Sequence, residues 1–243
     1  MSEFLNKIVI VTGGFQGNGL SISKSFLRQG AKVYSLDKKF KKSRVVGKLT
    51  EIRAEVNNFK LIKKIISSIA KKEKKINILV NNAGVSEKFR KTNLLNYWNK
   101  TLSINLTAPF FLSYICLPFL KKEKNSTIVN IISLNGKVAM SNNPAYNASK
   151  GGLSALNGSL AMDFADYNIR VNGVSPGYIK TGMTKKSFNN NRSFKERTNR
   201  MMIKKYGSPD DIAEAVLFLS SQRSKYINAT EIIVDGGFLK KGI

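Results

Sequence analysis

The stretch IVIVTGGFQGNG, residues 8–19, predicts a buried β-strand that ends in a glycine-rich turn. Residues 8–11 are all β-branched, and a continuous run of such residues is typical of a strand that is buried on both faces. Apolar residues at helical spacing follow over residues 20–27, and Gly30 ends that helix. A strand, a glycine turn and a helix in this order predict the first unit of a parallel α/β sheet.

The same alternation of strand and helix continues along the whole chain. Further strands are predicted over residues 31–36, 76–80, 127–132, 169–174 and 232–234, and further helices over residues 61–69, 94–120, 146–165 and 210–219. We therefore predict a doubly wound α/β sheet of about seven parallel strands with helices on both faces, in a single domain that spans residues 1–243. Ligands of such sheets bind in the crevice at the carboxyl ends of the strands.

The composition narrows the chemistry that the chain can perform. Its 243 residues are 42% hydrophobic and 23% charged, which is ordinary for a globular protein. The single cysteine, Cys116, has no partner in the chain for a disulfide. Because the chain contains no histidine, Ser-His-Asp catalysis, Cys-His catalysis and imidazole-bound zinc are excluded. Acid–base chemistry must therefore use tyrosine, lysine, carboxylates or the one thiol.

The chain is strongly basic, with 41 Lys and Arg against 15 Asp and Glu and a formal net charge of +26. Such a balance suits nucleic acids, anionic membranes or acidic substrates. Lysine pairs are spread from residues 38–39 to residues 240–241, whereas charged binding tails usually concentrate their charge at one end. The distribution favours a solvated basic surface over nucleic-acid binding.

No targeting segment is recognisable in the sequence. The apolar run at residues 8–11 is too short for the core of a signal peptide. The most apolar longer stretch, residues 104–120, contains Asn105, Pro109 and Pro118 and is shorter than a membrane span. We expect it to form a buried or interface helix in a cytoplasmic protein that does not enter the membrane.

The glycine-rich turn is a candidate phosphate site, because glycines permit close approach and a helix N-terminus favours a pyrophosphate. A purely structural turn would contain the same glycines. Asp37 ends the second predicted strand, eighteen residues beyond Gly19, where a carboxylate can bind both ribose hydroxyls and repel a 2′-phosphate. We predict a site that prefers NAD to NADP, although Lys38 and Lys39 beside Asp37 are a contrary signal. Its turn residues are Gly13, Phe15, Gln16, Gly17, Asn18 and Gly19.

Ser133, Tyr146 and Lys150 form a candidate catalytic group. Tyr146 and Lys150 stand four residues apart at the start of a predicted helix, so they project from one face. A tyrosine with a pKa near 10 becomes a base at neutral pH only if about 4 kcal/mol favours its phenolate. One ammonium at ~4 Å, with an effective dielectric constant near 20, supplies about that much. Ser133 lies at the carboxyl end of the preceding predicted strand, residues 127–132, at the edge where the crevice is expected.

In their order and spacing, these motifs resemble the short-chain dehydrogenase/reductase family over essentially the whole chain. The matching segments are Thr12-Gly13, Gly17-Asn18-Gly19, Asn81-Asn82-Ala83-Gly84, Asn105, Ser133, Tyr146 with Lys150, Arg170-Val171-Asn172, Pro176-Gly177 with Thr181, Ser208-Pro209-Asp210-Asp211-Ile212-Ala213 and Val234-Asp235-Gly236-Gly237. The resemblance implies a Rossmann-type fold and an oxidoreductase that moves a hydride between a nicotinamide cofactor and a secondary alcohol or ketone.

The resemblance also implies a role for each catalytic position. Tyr146 would be the general base when an alcohol is oxidised and the general acid when a ketone is reduced. Ser133 would hydrogen-bond the reacting oxygen, and Lys150 would hold the nicotinamide ribose and lower the pKa of Tyr146. Asn105 would hold a water that links Lys150 to solvent.

Further cofactor contacts are implied by the same resemblance. They are Glu55 and Val56 at the adenine, Asn82, Ala83 and Gly84 after the strand at residues 76–80, and Pro176, Gly177, Ile179 and Thr181 at the nicotinamide end. Glu55 stands where the family usually has aspartate. Relatives commonly form homotetramers or homodimers through the two long helices, predicted here over residues 94–120 and 146–165, and through the last strand.

The substrate is the least determined part of the prediction. In such enzymes the segment over residues 180–206 closes over the substrate, and here it carries nine basic residues against Glu196 alone, which suits an anionic substrate. Ser141, Asn142 and Asn143, which lie before Tyr146, would suit a sugar or polyol. A dehydrogenase of a sugar, polyol or hydroxy acid is one interpretation. The second interpretation is a 3-oxoacyl-thioester (acyl carrier protein) reductase, which would use NADPH. The third interpretation is a nucleic-acid-binding protein.

Overall fold

The computed structural model describes residues 3–87, 93–184 and 188–241. The strands are β1 (Ile8–Thr12), β2 (Lys32–Asp37), β3 (Arg44–Val46), β4 (Leu49–Arg53), β5 (Ile78–Asn81), β6 (Thr127–Ile131), β7 (Arg170–Pro176) and β8 (Glu231–Val234). The α-helices are α1 (Gly17–Arg28), α2 (Phe59–Glu73), α3 (Leu94–Leu102), α4 (Ala108–Leu120), α5 (Pro144–Asp163), α6 (Asn191–Asn199) and α7 (Pro209–Ser220).

Within the described residues, the strands form one sheet in the order β3-β4-β2-β1-β5-β6-β7-β8. Every pairing in it is parallel except that of β3 with β4. The predicted doubly wound α/β sheet is therefore confirmed, with β3 and β4 as strands that the sequence pattern did not identify. Both are largely half-buried or exposed, so neither carries the continuous apolar signal of an inner strand.

Helices cover both faces of the sheet because successive strand residues point in opposite directions. In β1, Val9 and Val11 pack into a cluster with α1 and α7. Ile8 and Ile10 of the same strand face the other side, towards α2, α4 and α5. The core therefore consists of two apolar layers, one on each face of the sheet, and the strand ends are left to form the site.

Leu94–Leu120 form one helical segment, in which a π-helix at Ser103–Thr107 joins α3 to α4. By length and composition alone this segment, which is ten residues longer than the apolar stretch over residues 104–120, is apolar enough to cross a membrane, with a mean hydropathy of 1.5. Its inner face does pack in the core, through Leu112, Cys116 and Leu120. Burial raises the pKa of the Cys116 thiol, which keeps this group protonated and inert.

The stretch over residues 180–206 contains the helix α6, although its sequence has no visible apolar periodicity. The reason is that α6 is polar apart from Phe194, so the apolar pattern of a helix is missing. The side chain of Asn190 caps its first turn by accepting a hydrogen bond from the backbone N–H of Ser193 at 2.9 Å.

Candidate active site

The predicted site residues lie at the carboxyl edge of the sheet. Thr12, Asp37, Asn81 and Pro176 end four of the parallel strands, and Ser133 follows the end of β6 by two residues. Because these strands run in the same direction, their ends lie side by side. The crevice that the sequence predicts is therefore formed by this edge.

Ser133, Tyr146 and Lys150 come together at this edge. The hydroxyl of Ser133 hydrogen-bonds the phenol of Tyr146. Lys150 is only 4% exposed, and its Nζ donates a hydrogen bond to the backbone carbonyl of Ile131 at 2.7 Å. The same Nζ lies 5.8 Å from the centroid of the Tyr146 ring. The spacing in the sequence thus places a hydroxyl, a phenol and an amine in one cluster.

Burial controls the protonation of this cluster. Burial raises the pKa of Tyr146, and the hydrogen bond with Ser133 lowers it only in part. Burial also lowers the pKa of Lys150 to about 8. The physical reason for both shifts is that burial disfavours the charged form of each group. The expectation that Lys150 lowers the pKa of Tyr146 stays a prediction.

Asn105 lies in the π-helix and is fully buried. Its Oδ1 accepts a hydrogen bond from the backbone N–H of Val85 at 2.8 Å, and its Nδ2 donates to the Val85 carbonyl at 2.9 Å and to the Ser149 hydroxyl at 3.0 Å. A Cβ at Gly84 would lie 3.5 Å from Asn105 Oδ1 and 3.7 Å from Lys150 Nζ. The absence of a side chain at Gly84 therefore leaves space between these two polar groups.

The loop between Ser133 and Tyr146 is braced by asparagines. Ser133 Oγ accepts a hydrogen bond from the backbone N–H of Asn135 at 3.2 Å. Asn143 accepts a hydrogen bond from the Tyr97 hydroxyl at 3.0 Å and donates one to Ser86 at 2.7 Å. Sequence reasoning missed Asn135 and Tyr97, because an isolated Asn or Tyr carries no signal of its own. It placed Asn143 close to a polar substrate, which stays a prediction, and the structure shows that its side chain also braces this loop.

The glycine turn after β1 is shaped for close approach. Gly13 and Gly17 have positive φ angles of 69° and 58°. A Cβ at Gly19 would lie 2.2 Å from the carbonyl oxygen of Gly13, so only glycine fits there. The side chain of Asn82 fastens the end of β5 to this turn by donating to the carbonyls of Thr12 at 2.8 Å and Gly13 at 3.1 Å.

The residues at the start of α1 fit a dinucleotide phosphate. Gln16 is the N-cap residue and gives the helix no side-chain cap, so the first-turn N–H groups have no side-chain acceptor among the described residues. The side-chain oxygen of Asn18 is buried without a hydrogen-bond partner there. The Gln16 amide lies near the segment that follows Thr181, since a Cβ at Gly182 would be 3.1 Å from its Nε2.

Asp37 lies where the adenosine ribose is expected. Its carboxylate accepts hydrogen bonds from the backbone N–H of Phe15 at 3.1 Å and of Lys39 at 2.9 Å. Lys38 pairs with Glu55 at 3.5 Å, and together with Arg53 these residues line a cavity of about 590 Å³. The wall of this cavity, which begins at the residue after Asp37, therefore carries cations as well as the Glu55 carboxylate.

The remaining predicted contacts lie around the same edge. Val56 is buried with Ala83 packed against its cluster, next to the π-helix. Gly177 packs so closely on Asp235 that a Cβ would lie 2.7 Å from the Asp235 Cα. Ile179 is buried, and a Cβ at Gly17 would lie 3.4 Å from the side chain of Thr181. The structure thus brings the segment from Pro176 to Thr181 onto the glycine turn.

The segment over residues 180–206 packs against an aromatic cluster beside Ser133. This cluster is built from Leu134, Met201, Tyr206 and Phe238, with Met140, Tyr178, Phe188 and Phe194 packed on it. The guanidinium groups of Arg197 and Arg200 lie 4.8 Å from the ring centroids of Tyr178 and Phe238. Lys185 and Lys186, which belong to the predicted basic set, lie outside the described residues.

Comparisons with known proteins agree with this geometry. The profile of the family described as enoyl-(acyl carrier protein) reductase matches residues 13–239. The 3-oxoacyl-(acyl-carrier-protein) reductase of Chlamydia pneumoniae is 34% identical, over 96% of this chain and 97% of the relative.

Two solved structures are similar over nearly the whole chain. Aldohexose dehydrogenase of Thermoplasma acidophilum in ligand-free form has a TM-score of 0.90 at 29% identity, covering 98% of this chain and 96% of its own. A 4-hydroxyisoleucine dehydrogenase complexed with NADH has a TM-score of 0.90 at 29% identity, covering 98% and 100%. The chain therefore belongs to the short-chain dehydrogenase/reductase family, and it is an oxidoreductase that acts on CH–OH or keto groups with a nicotinamide cofactor.

Proposed function

We propose that this protein is an NAD-dependent dehydrogenase of a small polar secondary alcohol, such as a sugar, polyol or hydroxy acid, and of the matching ketone. The observation that carries the proposal is the cluster of Ser133, Tyr146 and Lys150 at the carboxyl edge of the sheet, together with Asp37 at the same edge, at the end of β2. A bound nicotinamide would take the hydride from the alcohol carbon or return it to the ketone.

Each residue of the cluster has a proposed task. Tyr146 gives its proton to the carbonyl oxygen in reduction and takes the hydroxyl proton in oxidation. Ser133, which hydrogen-bonds Tyr146, orients the substrate oxygen towards the phenol. Lys150 holds the ribose hydroxyls, and a water between Asn105 Oδ1 and Lys150 Nζ, in the space beside Gly84, passes protons to solvent.

The cofactor would be held by the residues around the glycine turn. The uncapped N-terminus of α1 binds the pyrophosphate, and the oxygens of Asp37 accept hydrogen bonds from the adenosine ribose. Each Asp37 oxygen already accepts one backbone N–H, which leaves a lone pair on each for a hydroxyl. Glu55 and Val56 would border the adenine, and the segment from Pro176 to Thr181 would border the nicotinamide.

We propose that the substrate is anionic and that residues 180–206 cover it. The guanidinium groups of Arg197 and Arg200 lie over aromatic rings beside the Ser133 turn, so this segment places positive charge near the proposed substrate site. The relatives include a dehydrogenase of an aldohexose and one of 4-hydroxyisoleucine, which are a polyhydroxylated and a carboxylate-bearing compound. We further propose a cytoplasmic homotetramer or homodimer, with α4 and α5 in the interface.

A second candidate is a 3-oxoacyl-thioester reductase that uses NADPH. The 34% identity to a 3-oxoacyl-(acyl-carrier-protein) reductase favours this candidate. The cations of Lys38 and Arg53 also favour it, because they would neutralise a 2′-phosphate. Asp37 opposes it, because its carboxylate would repel that phosphate.

The test is a matrix of substrates and cofactors. Sugars, polyols, hydroxy acids and a 3-oxoacyl thioester are assayed with NAD(H) and NADP(H), using the wild type and the variant Asp37→Ser. The proposal predicts turnover of a hydroxy compound with NAD at least about tenfold more efficient than with NADP, and a reversed preference in Asp37→Ser. Efficient reduction of the thioester with NADPH by the wild type would favour the second candidate instead.

A further inference from the structure

The carboxylate of Glu231, at the start of β8, connects four elements next to the catalytic cluster. It forms an ion pair with Lys137, in which Nζ and Oε2 are 2.8 Å apart. It also accepts hydrogen bonds from the hydroxyls of Ser175, at 2.9 Å, and Ser154. Lys137 follows the turn after β6, Ser154 lies on α5 and Ser175 on β7, so one side chain joins β8 to all three elements.

The site of Glu231 is enclosed. Its side chain is 10% exposed, and it fills the space above Gly173, where a Cβ would lie 2.9 Å from Glu231 Cγ. Burial raises the pKa of this carboxyl, but hydrogen bonds from Lys137, Ser154 and Ser175 outweigh it and the net pKa is lowered. The carboxylate is therefore charged at neutral pH and satisfied by three donors, which holds its partners in one arrangement.

The turn that Lys137 ends is the one that begins with Ser133. Backbone hydrogen bonds close it, from Gly136 N–H to the Ser133 carbonyl at 3.0 Å and from Lys137 N–H to the Leu134 carbonyl at 2.8 Å. Gly136 sits directly on helix α5, since a Cβ there would lie 3.0 Å from the Lys150 carbonyl. The turn therefore touches α5 through Gly136 and is fastened through the ammonium of Lys137.

Glu231 holds both sides of the cluster at once. Through Lys137 it holds the turn that presents Ser133. Through Ser154, one helical turn beyond Lys150, it holds the helix that presents Tyr146 and Lys150. The distance between the Ser133 hydroxyl and the Tyr146 phenol depends on how these two segments are placed relative to each other.

We propose that Glu231 is a positioning residue, which keeps the Ser133 turn in register with α5 so that Ser133 and Tyr146 can bind the same substrate oxygen. The inference rests on the proposed role of Ser133 but not on the identity of the substrate. A displacement of reacting groups by about 1 Å can cost as much as 10²-fold in rate.

The variant Glu231→Gln tests this inference, because it keeps the shape and removes the charge. Its matched control is Glu73→Gln, since the Glu73 side chain is 12% exposed and accepts hydrogen bonds from Lys32 and Tyr34. Lys32 begins β2, so this carboxylate lies away from the carboxyl ends of the strands, where the catalytic cluster is. Lys137→Met should reproduce the effect of Glu231→Gln, and Lys137→Arg should retain activity.

The decisive measurement is a double-mutant cycle of Glu231→Gln and Ser133→Ala. In each variant kcat is measured for the alcohol that the wild type oxidises best. In the wild-type background, Glu231→Gln should lower kcat about tenfold or more while the Kd for NADH stays within about twofold. In the Ser133→Ala background, Glu231→Gln should change kcat less than about twofold. Equal losses in both backgrounds, or no loss in the wild type, would overturn the inference.

Hydrogen exchange supplies a readout that needs no substrate. Glu231→Gln should speed amide exchange at Gly136 and Lys137, whereas Glu73→Gln should leave it unchanged. Unchanged exchange in Glu231→Gln would also overturn the inference. If Ser133→Ala keeps full activity, the proposed role of Ser133 fails and the inference fails with it. If Ser133→Ala is inactive while Glu231→Gln is fully active, the inference alone fails.

Discussion

At the scale of single residues, the chemistry depends on what burial does to Tyr146 and Lys150. Both groups are packed against protein, so Tyr146 favours its neutral phenol and Lys150 loses part of its hold on its proton. A neutral phenol next to Ser133 is ready to donate a proton to a ketone. Removal of a proton from an alcohol requires the phenolate, which burial disfavours.

This state of Tyr146 predicts opposite pH profiles for the two directions. Between pH 6 and 8, kcat/KM for alcohol oxidation should rise several-fold, because the phenolate fraction of Tyr146 grows with pH. Lys150, with its pKa of about 8, is fully charged at the lower end of this range and about half charged at the upper end. Over the same range, kcat/KM for ketone reduction should stay flat or fall. Steady-state rates in both directions check this. An oxidation rate that does not change with pH would contradict it.

The sequence identifies Ser133, Tyr146 and Lys150 because their types and spacing already specify one helix face and one strand end. It does not reveal the bond from Lys150 to the Ile131 carbonyl or the ties of Asn105 to Val85. These contacts join residues that are far apart in the chain, and no local pattern encodes them. Glu231 is hidden for the same reason, since its partners come from three other elements.

At the scale of elements, the turn between β1 and α1 is the most constrained. The variant Gly19→Ala should weaken NADH binding by about tenfold or more, because its Cβ would lie 2.2 Å from the Gly13 carbonyl oxygen. The matched control is Gly158→Ala in α5, where nothing lies within 4 Å of an added Cβ. That control should bind NADH normally and stabilise the fold by up to about 1 kcal/mol.

Fluorescence titration with NADH and thermal unfolding measure these two effects. Gly19→Ala that binds NADH as tightly as the wild type would rule out the proposed role of the turn. Normal binding is expected only of the α5 variant.

The inner elements could be predicted from the sequence, whereas the outer ones could not. β1, β5 and β6 are buried at every residue and mostly apolar because they are covered on both faces. β3 and β4 lie at the sheet edge, where only one neighbour or a partial cover is present, so their residues need not be apolar. α6 likewise packs on the aromatic cluster beside Ser133 through few residues, among them Phe194, so its sequence lacks an apolar periodicity.

At the scale of the whole molecule, α4 and α5 share an exposed apolar face. Phe110 is 46% exposed and its ring packs at a tilt against Tyr114, whose hydroxyl donates to Asp163 at 2.6 Å. Met162, next to Asp163 in α5, is 80% exposed. Apolar exposure of this kind marks surfaces that associate with another protein. In the proposed homotetramer or homodimer, this face would bind a second copy of the chain.

The variant Phe110→Glu should therefore break the assembly. Light scattering after size exclusion should give the mass of a tetramer or dimer for the wild type and a smaller mass for Phe110→Glu, because a charge would be buried in the interface. The matched control, Val45→Glu on the 64%-exposed Val45 of β3, should keep the wild-type mass. A monomeric wild type, or an unchanged mass in Phe110→Glu, would contradict the assignment of this face.

The most direct test of the account is the single-turnover rate of Tyr146→Phe with saturating cofactor. The account predicts that this variant binds NADH within about twofold of the wild type and transfers hydride about 10²–10⁴-fold more slowly, because the proton has no donor or acceptor. A rate within a few-fold of the wild type, with normal cofactor binding, would contradict the claim that this phenol carries the proton.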